Sequence, residues 1–425
     1  DFFAKSDVVQ LTAKLDIGFA DLTSYSQIRN EKVEQRYSLD LTNIGAVALQ
    51  GFEENDIFTQ ELILNSKAGS RFQWTAGAYY SNWDSQWPYV GRAPGQSSPV
   101  PYPQFLESGI RSESMAVFGD ATYQATDGLF LTAGVRYTHD ALKDAYSNFF
   151  AIGPAFPPTL TTNRVTPRAV IRYELSPETN IYASASKGYK AAIYNISSTS
   201  TPGAPILPES IWAYEIGLKH SSSALTFNLS GYYYDYTNQQ LAQSRIINNV
   251  PQTVITNAAS SKLYGVDGDI SYRFTDQFSV NAGFNWSHAR YGDFQGAPSF
   301  NPATFASTVI PNAKGLHMTR APDFTANVGA TYTADLGGGS LILKSNLFYT
   351  SKFYFDLTQQ VPQDSYALLD LRAEWTDPTE RYTLAIAGKN VTDTHYLNQA
   401  SQNALGIGAI WGAPAQWEAS VRVAF

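Results

Sequence analysis

The residues able to do covalent or metal chemistry are few, and their spacing does not suit it. His139 and Asp140 are adjacent, and His288 stands alone between Ser287 and Ala289. A catalytic triad needs a nucleophile, a base and an orienting group brought together. A structural zinc site needs four ligands at recurring short spacings. The chain shows neither pattern, nor a glycine-rich phosphate loop, and it has no cysteine. It therefore reads as no enzyme, with no metal site and no cofactor. The net charge is −8 without a basic stripe, so a nucleic-acid partner is not expected.

Charges and rings occur instead in two settings. Arg136, Arg168, Arg172, Glu215, Lys219, Asp370, Arg372, Glu374, Glu418 and Arg422 share the polar parity of segments that alternate residue by residue. Trp87, Tyr89, Arg92, Lys190, Tyr194, Arg245, His317 and Arg320 lie in or beside long segments rich in Pro, Gly, Asn and Ser. Rings beside cations suit planar, anionic or sugar-like ligands through stacking and charge-assisted bonds. Self-packing of the long segments is the plainer reading of any one of them.

The elements that must position these residues are strands. Phe72, Trp74, Ala76, Ala78 and Tyr80 alternate with Gln73, Thr75, Gly77, Tyr79 and Ser81. Phe278–Ser287 and Phe324–Tyr332 behave alike, with Phe284 and Val328 on the apolar face and Asn285 and Asn327 on the polar one. This is a period of two. Aromatics make up 14% of the chain and charged residues only 16%, against about 25% charged in a typical soluble domain. No run of ~18 apolar residues supplies a membrane helix.

Strands of about ten to twelve residues, aromatics at strand ends and alternating connection lengths together indicate a transmembrane antiparallel up-and-down β-barrel. Short turns fall at 67–70, 125–128, 176–178, 221–223, 275–277 and 377–379, with long segments at 31–54, 84–109, 141–162, 190–210, 237–260, 291–320, 353–365 and 391–414. The long segments are expected outside the cell and the turn at Ser221–Ser223 in the periplasm. The ten alternating charges then face a wet lumen. Trp417, Val421, Val423 and Phe425 read as a closing strand recognised by the barrel-insertion machinery, and lipid and lipopolysaccharide are expected against the outer face. About seventeen strands can be counted over residues 1–425, a single barrel domain. Single-chain bacterial barrels have an even number, so an odd number of strands is expected before residue 1.

Several segments resemble the barrel of TonB-dependent receptors, in family order. They are Thr59–Ser66, Glu113–Tyr123 with Leu131–Asp140, Thr166–Tyr173, Ile181–Asn195, Pro208–Lys219, Asn257–Ile270 and Ala385–Tyr396. The resemblance implies a 22-stranded barrel in the cell outer membrane, of which about five strands, the N-terminal plug domain and the TonB box have no counterpart here. It also implies that the lumen charges face the plug, that a TonB complex is a partner, and that the cargo is a scarce nutrient, with a ferric siderophore favoured over cobalamin, haem or a saccharide, which would leave the same barrel pattern. Where the family often has glycines after Gly-Tyr-Lys, this chain has Ala191-Ala192-Ile193. A passive substrate-specific porin is the alternative, and an outer-membrane hydrolase a third reading that the missing catalytic residues disfavour. Lys190 and Tyr194 are expected at the outer rim, with Lys190 pointing inward and Lys187 towards lipid phosphates.

Overall fold

The computed structural model describes residues 2–38, 48–92, 104–147, 156–157, 159–194, 205–247, 250–257, 260–300, 307–403 and 406–424. Among the described residues, seventeen strands form one antiparallel meander, from Phe2–Asp16 at one edge to Gln416–Val423 at the other. Each strand pairs with the next strand of the sheet along the chain. Among the described residues neither edge strand has a second partner.

The alternation becomes two continuous faces because cross-strand partners share a side of the sheet. Val266 pairs with Trp286, Trp286 with Phe324, Ala282 with Val328, Val328 with Leu347 and Leu347 with Leu369. Trp375 pairs with Leu384, and Leu384 with Val421. The opposite face pairs Asn228 with Asp269, Asp269 with Gly283, Gly283 with Asn327, and Asn346 with Asp370. A one-residue slip at any ladder would exchange the faces, and none occurs in these pairings. The apolar face is the outer, lipid-facing one, and the polar face lines the lumen.

Connections alternate in length from one end of the sheet to the other. Turns of a few residues join strands at one end, including Gly337-Gly338, both at positive φ, and Ile17-Gly18-Phe19, which the sequence reading had not singled out. The opposite end carries the long connections. Among the described residues, four of these contain β-hairpins: Gln240–Ile247 with Val250–Asn257, Gln295–Phe300 with Ser307–Asn312, Phe353–Tyr354 with Pro362–Gln363, and Leu397–Asn403 with Gly406–Trp411. Phe294, Ala297 and Ala313 form a small buried core there, joined by Leu241, Leu316 and Leu357 from three different connections.

Strand length departs from the expectation of ten to twelve residues. The first seven strands run 15 to 21 residues, whereas the last two, Tyr382–Lys389 and Gln416–Val423, have 8 each. The tall strands continue past the ~10 residues that cross a bilayer, and their outer face changes character as they do. Leu64, Leu62 and Phe58 give way to Asp56, and its neighbours at the same side are Asp84, Arg111, Glu113 and Lys143. These form a collar: Asn30 donates to Asp56 at 2.5 Å, Arg111 meets Asp84 at 3.0 Å and Lys143 meets Glu113 at 2.5 Å. The ladder persists because hydrogen bonding does not need the apolar pattern, and loss of that pattern made these stretches read as loop.

The two faces yield a direct test. Val328→Arg should cost about 2–4 kcal/mol near the bilayer midplane, and Asn327→Arg much less. Denaturant titration of folding into lipid vesicles would measure both, and equal costs would mean that the faces are misassigned.

Candidate functional site

The lumen face carries all ten alternating charges, and the structure shows the contacts of nine of them. Arg168 donates through Nε to Asp120 Oδ2 at 2.7 Å and through Nη2 to Oδ1 at 3.4 Å. The Arg136 guanidinium lies over two rings, Tyr79 at 5.5 Å and Phe118 at 5.3 Å, while its Nε donates to Thr138. Arg172 sits 4.0 Å over Phe130 and pairs with Glu174. Lys219 lies 5.1 Å over Tyr182, whose hydroxyl donates to Glu215. Arg372 pairs with Glu374, Arg422 donates to Thr383, and Glu418 shares this face through its partner Ala387. Asp370 accepts from the Asn390 amide. The ion pairs are partly exposed, so each is worth about 0–1 kcal/mol.

Of the eight candidates for the mouth, the described ones do not all share one face of the wall. Trp87 is half-buried and has the lumen parity of Tyr79 and Ser85 on strand Phe72–Arg92. The same strand contains Tyr89 and Arg92, and Gln240–Ile247 contains Arg245; these three side chains lie outside the described residues. Lys190 is exposed at the end of strand Thr179–Lys190. Tyr194 is only 6% exposed, its ring 5.2 Å from Phe156, so little of it is open to a ligand. Arg320, at φ 56°, lies 5.4 Å over Phe355.

His317 is on the other side of the wall. It bridges to Arg290, which shares the outer face with Trp286 and His288. Arg290 grips Asp323 with two bonds of 3.0 and 3.2 Å, and the His317 ring lies 5.5 Å from Tyr354. Burial first, then the Arg290 charge, holds the imidazole below its ordinary pKa. It belongs to a strap packed against the wall, not to the vestibule.

Two lumen features escaped the sequence reading. Strand Thr179–Lys190 leaves its ladder with Thr159–Ser176 after Ser186, yet stays paired with Glu209–Ser221 up to Lys190. The chain then crosses inward, and Ala192 N donates to Thr162 Oγ1 at 3.1 Å. This brings Tyr189, which alternation assigns to lipid, to Asp140 at 2.5 Å. Lys187 keeps the outer side, over Trp212 at 5.7 Å. The second feature is a group of rings. Tyr366 and Tyr396 stack at 4.7 Å and 18°, and Phe348 leans on Tyr366 at 6.2 Å. Phe348 and Tyr366 have lumen parity near the long-connection end. An apolar residue out of phase, as Phe348 is against Leu343 and Leu347, was the signal available in the sequence.

This group rests on one buried hub. Asn390, 5% exposed and at φ 49°, donates from Nδ2 to the carbonyls of Thr394 and Ala413 and accepts from the Thr394 amide at Oδ1. Asp393 accepts from Ala415 N across the same loop. Asn390→Ala orphans two carbonyls and an amide, so a loss of about 2–3 kcal/mol is expected, with faster proteolysis within 390–415. Asn390→Gly removes any backbone strain but not the lost bonds, and full stability in that variant would overturn the hub.

Among the described residues no group of three or more His, Cys, Asp or Glu side chains could hold a metal ion. The comparisons agree with this wall. The pesticin receptor of Yersinia pestis is 24% identical over 299 residues, covering 69% of this chain and 41% of that protein. The rhizobactin receptor of Rhizobium meliloti is 24% identical over 366 residues, 76% of this chain and 43% of that protein. The chain thus spans less than half of these curated relatives. The ferric yersiniabactin uptake receptor FyuA from Yersinia pestis superposes with a TM-score of 0.84 at 19% identity, over 100% of this chain and 62% of that one. The siderophore receptor PiuA from Acinetobacter baumannii gives 0.79 at 16% identity, over 99% and 64%. Residues 2–391 match the family described as TonB dependent receptor-like, beta-barrel, and the chain belongs to that family.

Proposed function

We propose that this chain is the barrel part of an outer-membrane receptor that imports a ferric siderophore with energy relayed by a TonB complex. The observation that carries the reading is the lumen wall of a chain in this family. Its charges are tied in weak, partly exposed pairs, a surface suited to contact that forms and releases. A plug supplied by the longer protein would occupy that lumen. Seventeen antiparallel strands leave the two edges parallel to each other, so closure without a parallel seam needs an odd number of further strands. Five would give the 22 of the plugged transporters.

In this reading the long-connection end faces outwards and the short turns face the periplasm. Trp87 and the Phe348–Tyr366–Tyr396 group offer flat surfaces to a chelate with aromatic arms, and Lys190 and Arg320 offer positive charge. Tyr89, Arg92 and Arg245 remain candidates for the same role. Tyr194 and His317 are set aside on geometry. The insertion machinery would read Trp417, Val421 and Val423 on strand Gln416–Val423 together with Phe425, which lies outside the described residues, and lipopolysaccharide would meet the collar of Asp84, Arg111 and Lys143.

The test is uptake of radioactive iron by cells lacking their own receptors and expressing the full-length protein. Ferric yersiniabactin and ferric rhizobactin, the cargo class of the relatives, are the first probes. Uptake should stop when the inner-membrane potential is collapsed, and uptake that continues would favour the passive porin. Tyr366→Ala should weaken chelate binding by about 1 kcal/mol, the worth of an aromatic contact beyond its area, with the amount of folded receptor unchanged. Unaltered binding would remove that group from the site.

A further inference from the structure

Six lumen glycines stand directly opposite a larger side chain on the next strand. The register pairs are Gly77 with Phe118, Gly134 with Asp120, Gly217 with Tyr182, Gly265 with Tyr232, Gly283 with Asn327 and Gly329 with Asn281. In every pair the side chain lies across the strand gap onto the glycine. A methyl group added at Gly217 would stand 2.5 Å from the Tyr182 ring, at Gly265 2.6 Å from the Tyr232 hydroxyl, at Gly283 2.7 Å from Asn327 Oδ1 and at Gly329 2.5 Å from Asn281 Oδ1. Phe118 and Asp120 lie over Gly77 and Gly134 in the same way.

Strand side chains ordinarily stand roughly perpendicular to the sheet. Here they lie down, and several are fastened there. Tyr182 donates to Glu215, Tyr232 accepts from Asn285 at 2.9 Å, and Asp120 is held by Arg168. Glycine inside a strand costs conformational entropy, about 0.5–1 kcal/mol relative to Ala, so six of them at large neighbours need a compensating gain. Such couples form on the outer face as well, but not at every glycine there. On the outer face Gly119 and Gly231 have nothing nearer than 3.9 Å, although Gly268 and Gly388 there do receive Phe284 and Trp417.

We propose that these couples plane the lumen wall, giving clearance to a body that shifts against it during import. The partner is the lumen-filling plug, so the inference rests on the import reading above. Rings and amides laid into glycine notches leave the wall polar and of low relief at these positions. Filling a notch raises its side chain into the lumen.

The experiment uses the full-length receptor with Gly217→Ala and Gly329→Ala, where the added methyl meets only a flexible side chain. Partner-trimmed doubles, Gly217→Ala with Tyr182→Ser and Gly329→Ala with Asn281→Ala, refill the clearance. Two readouts are taken: uptake of ferric yersiniabactin or ferric rhizobactin, and the rate at which denaturant applied from the short-turn side opens the receptor to ions in a planar bilayer. The single variants should reach the membrane in normal amount by heat-modifiable mobility, bind chelate normally, and be several-fold slower in uptake and in opening. The doubles should recover both rates. Singles that match the wild type in opening rate, or doubles that stay as slow as the singles, would overturn the proposal. Loss of folded receptor in the singles, restored in the doubles, would assign the couples to assembly and overturn it as well. A wild type that imports neither chelate would count against the cargo assignment alone, since the opening rates still decide the notches.

Discussion

The structure depends on the rule that a backbone amide or carbonyl in hydrocarbon must find its partner within the protein. No water is available there, and each orphan costs several kcal/mol. A meander answers the rule locally, since each of the interior strands donates and accepts on both sides. Once the ladder is obligatory, the side chains have only two directions to choose from. One set meets lipid and the other meets water, and period-two alternation is the sequence expression of that choice. Everything assigned to the lumen, from the Arg136 sandwich to the Tyr182–Glu215 bond, inherits its position from the register.

This explains what could be read in advance. Runs such as Phe72–Ser81 showed their faces in the sequence because both solvents act on them at once. The polar positions Arg168, Arg172 and Glu374 could be assigned by parity alone. Above the bilayer only water acts, so the signal fades while the ladder continues. Trp87 therefore read as loop although it sits in a strand. Tyr189 failed for a different reason: parity assumes that a strand follows its neighbour, and after Ser186 this one does not. Tyr194 and His317 were chosen by residue type, and type says nothing about whether a ring is covered by Phe156 or turned to the outer side.

The mouth illustrates how a site can be built where the regular wall is lowest. Strands Tyr382–Lys389 and Gln416–Val423 end early, and the chain between them joins a short hairpin, Leu397–Asn403 with Gly406–Trp411, to turns fixed by side chains. Asn390 and Asp393 replace backbone partners with their own amide and carboxylate. Short polar residues that tolerate left-handed backbone are suited to this, and both Asn390 and Asp393 adopt it, at φ 49° and 50°. Gly412 belongs to the same design, since any side chain there would collide with the Tyr396 ring.

The charged collar on the tall strands has a mechanical consequence. Asp56, Asp84, Arg111, Glu113 and Lys143 stand on the outward face directly beyond an apolar stretch, and charges on that face become costly as they move towards the midplane. Sliding the wall one residue pair along its strands, about 7 Å, would carry several of them towards hydrocarbon together. The aromatic and apolar positions nearer the short turns resist motion in the opposite sense, because they would leave it. The wall is therefore held at a fixed draught, like a hull at its waterline. On the import reading, an axial load taken up inside the bore would meet a mount that does not yield.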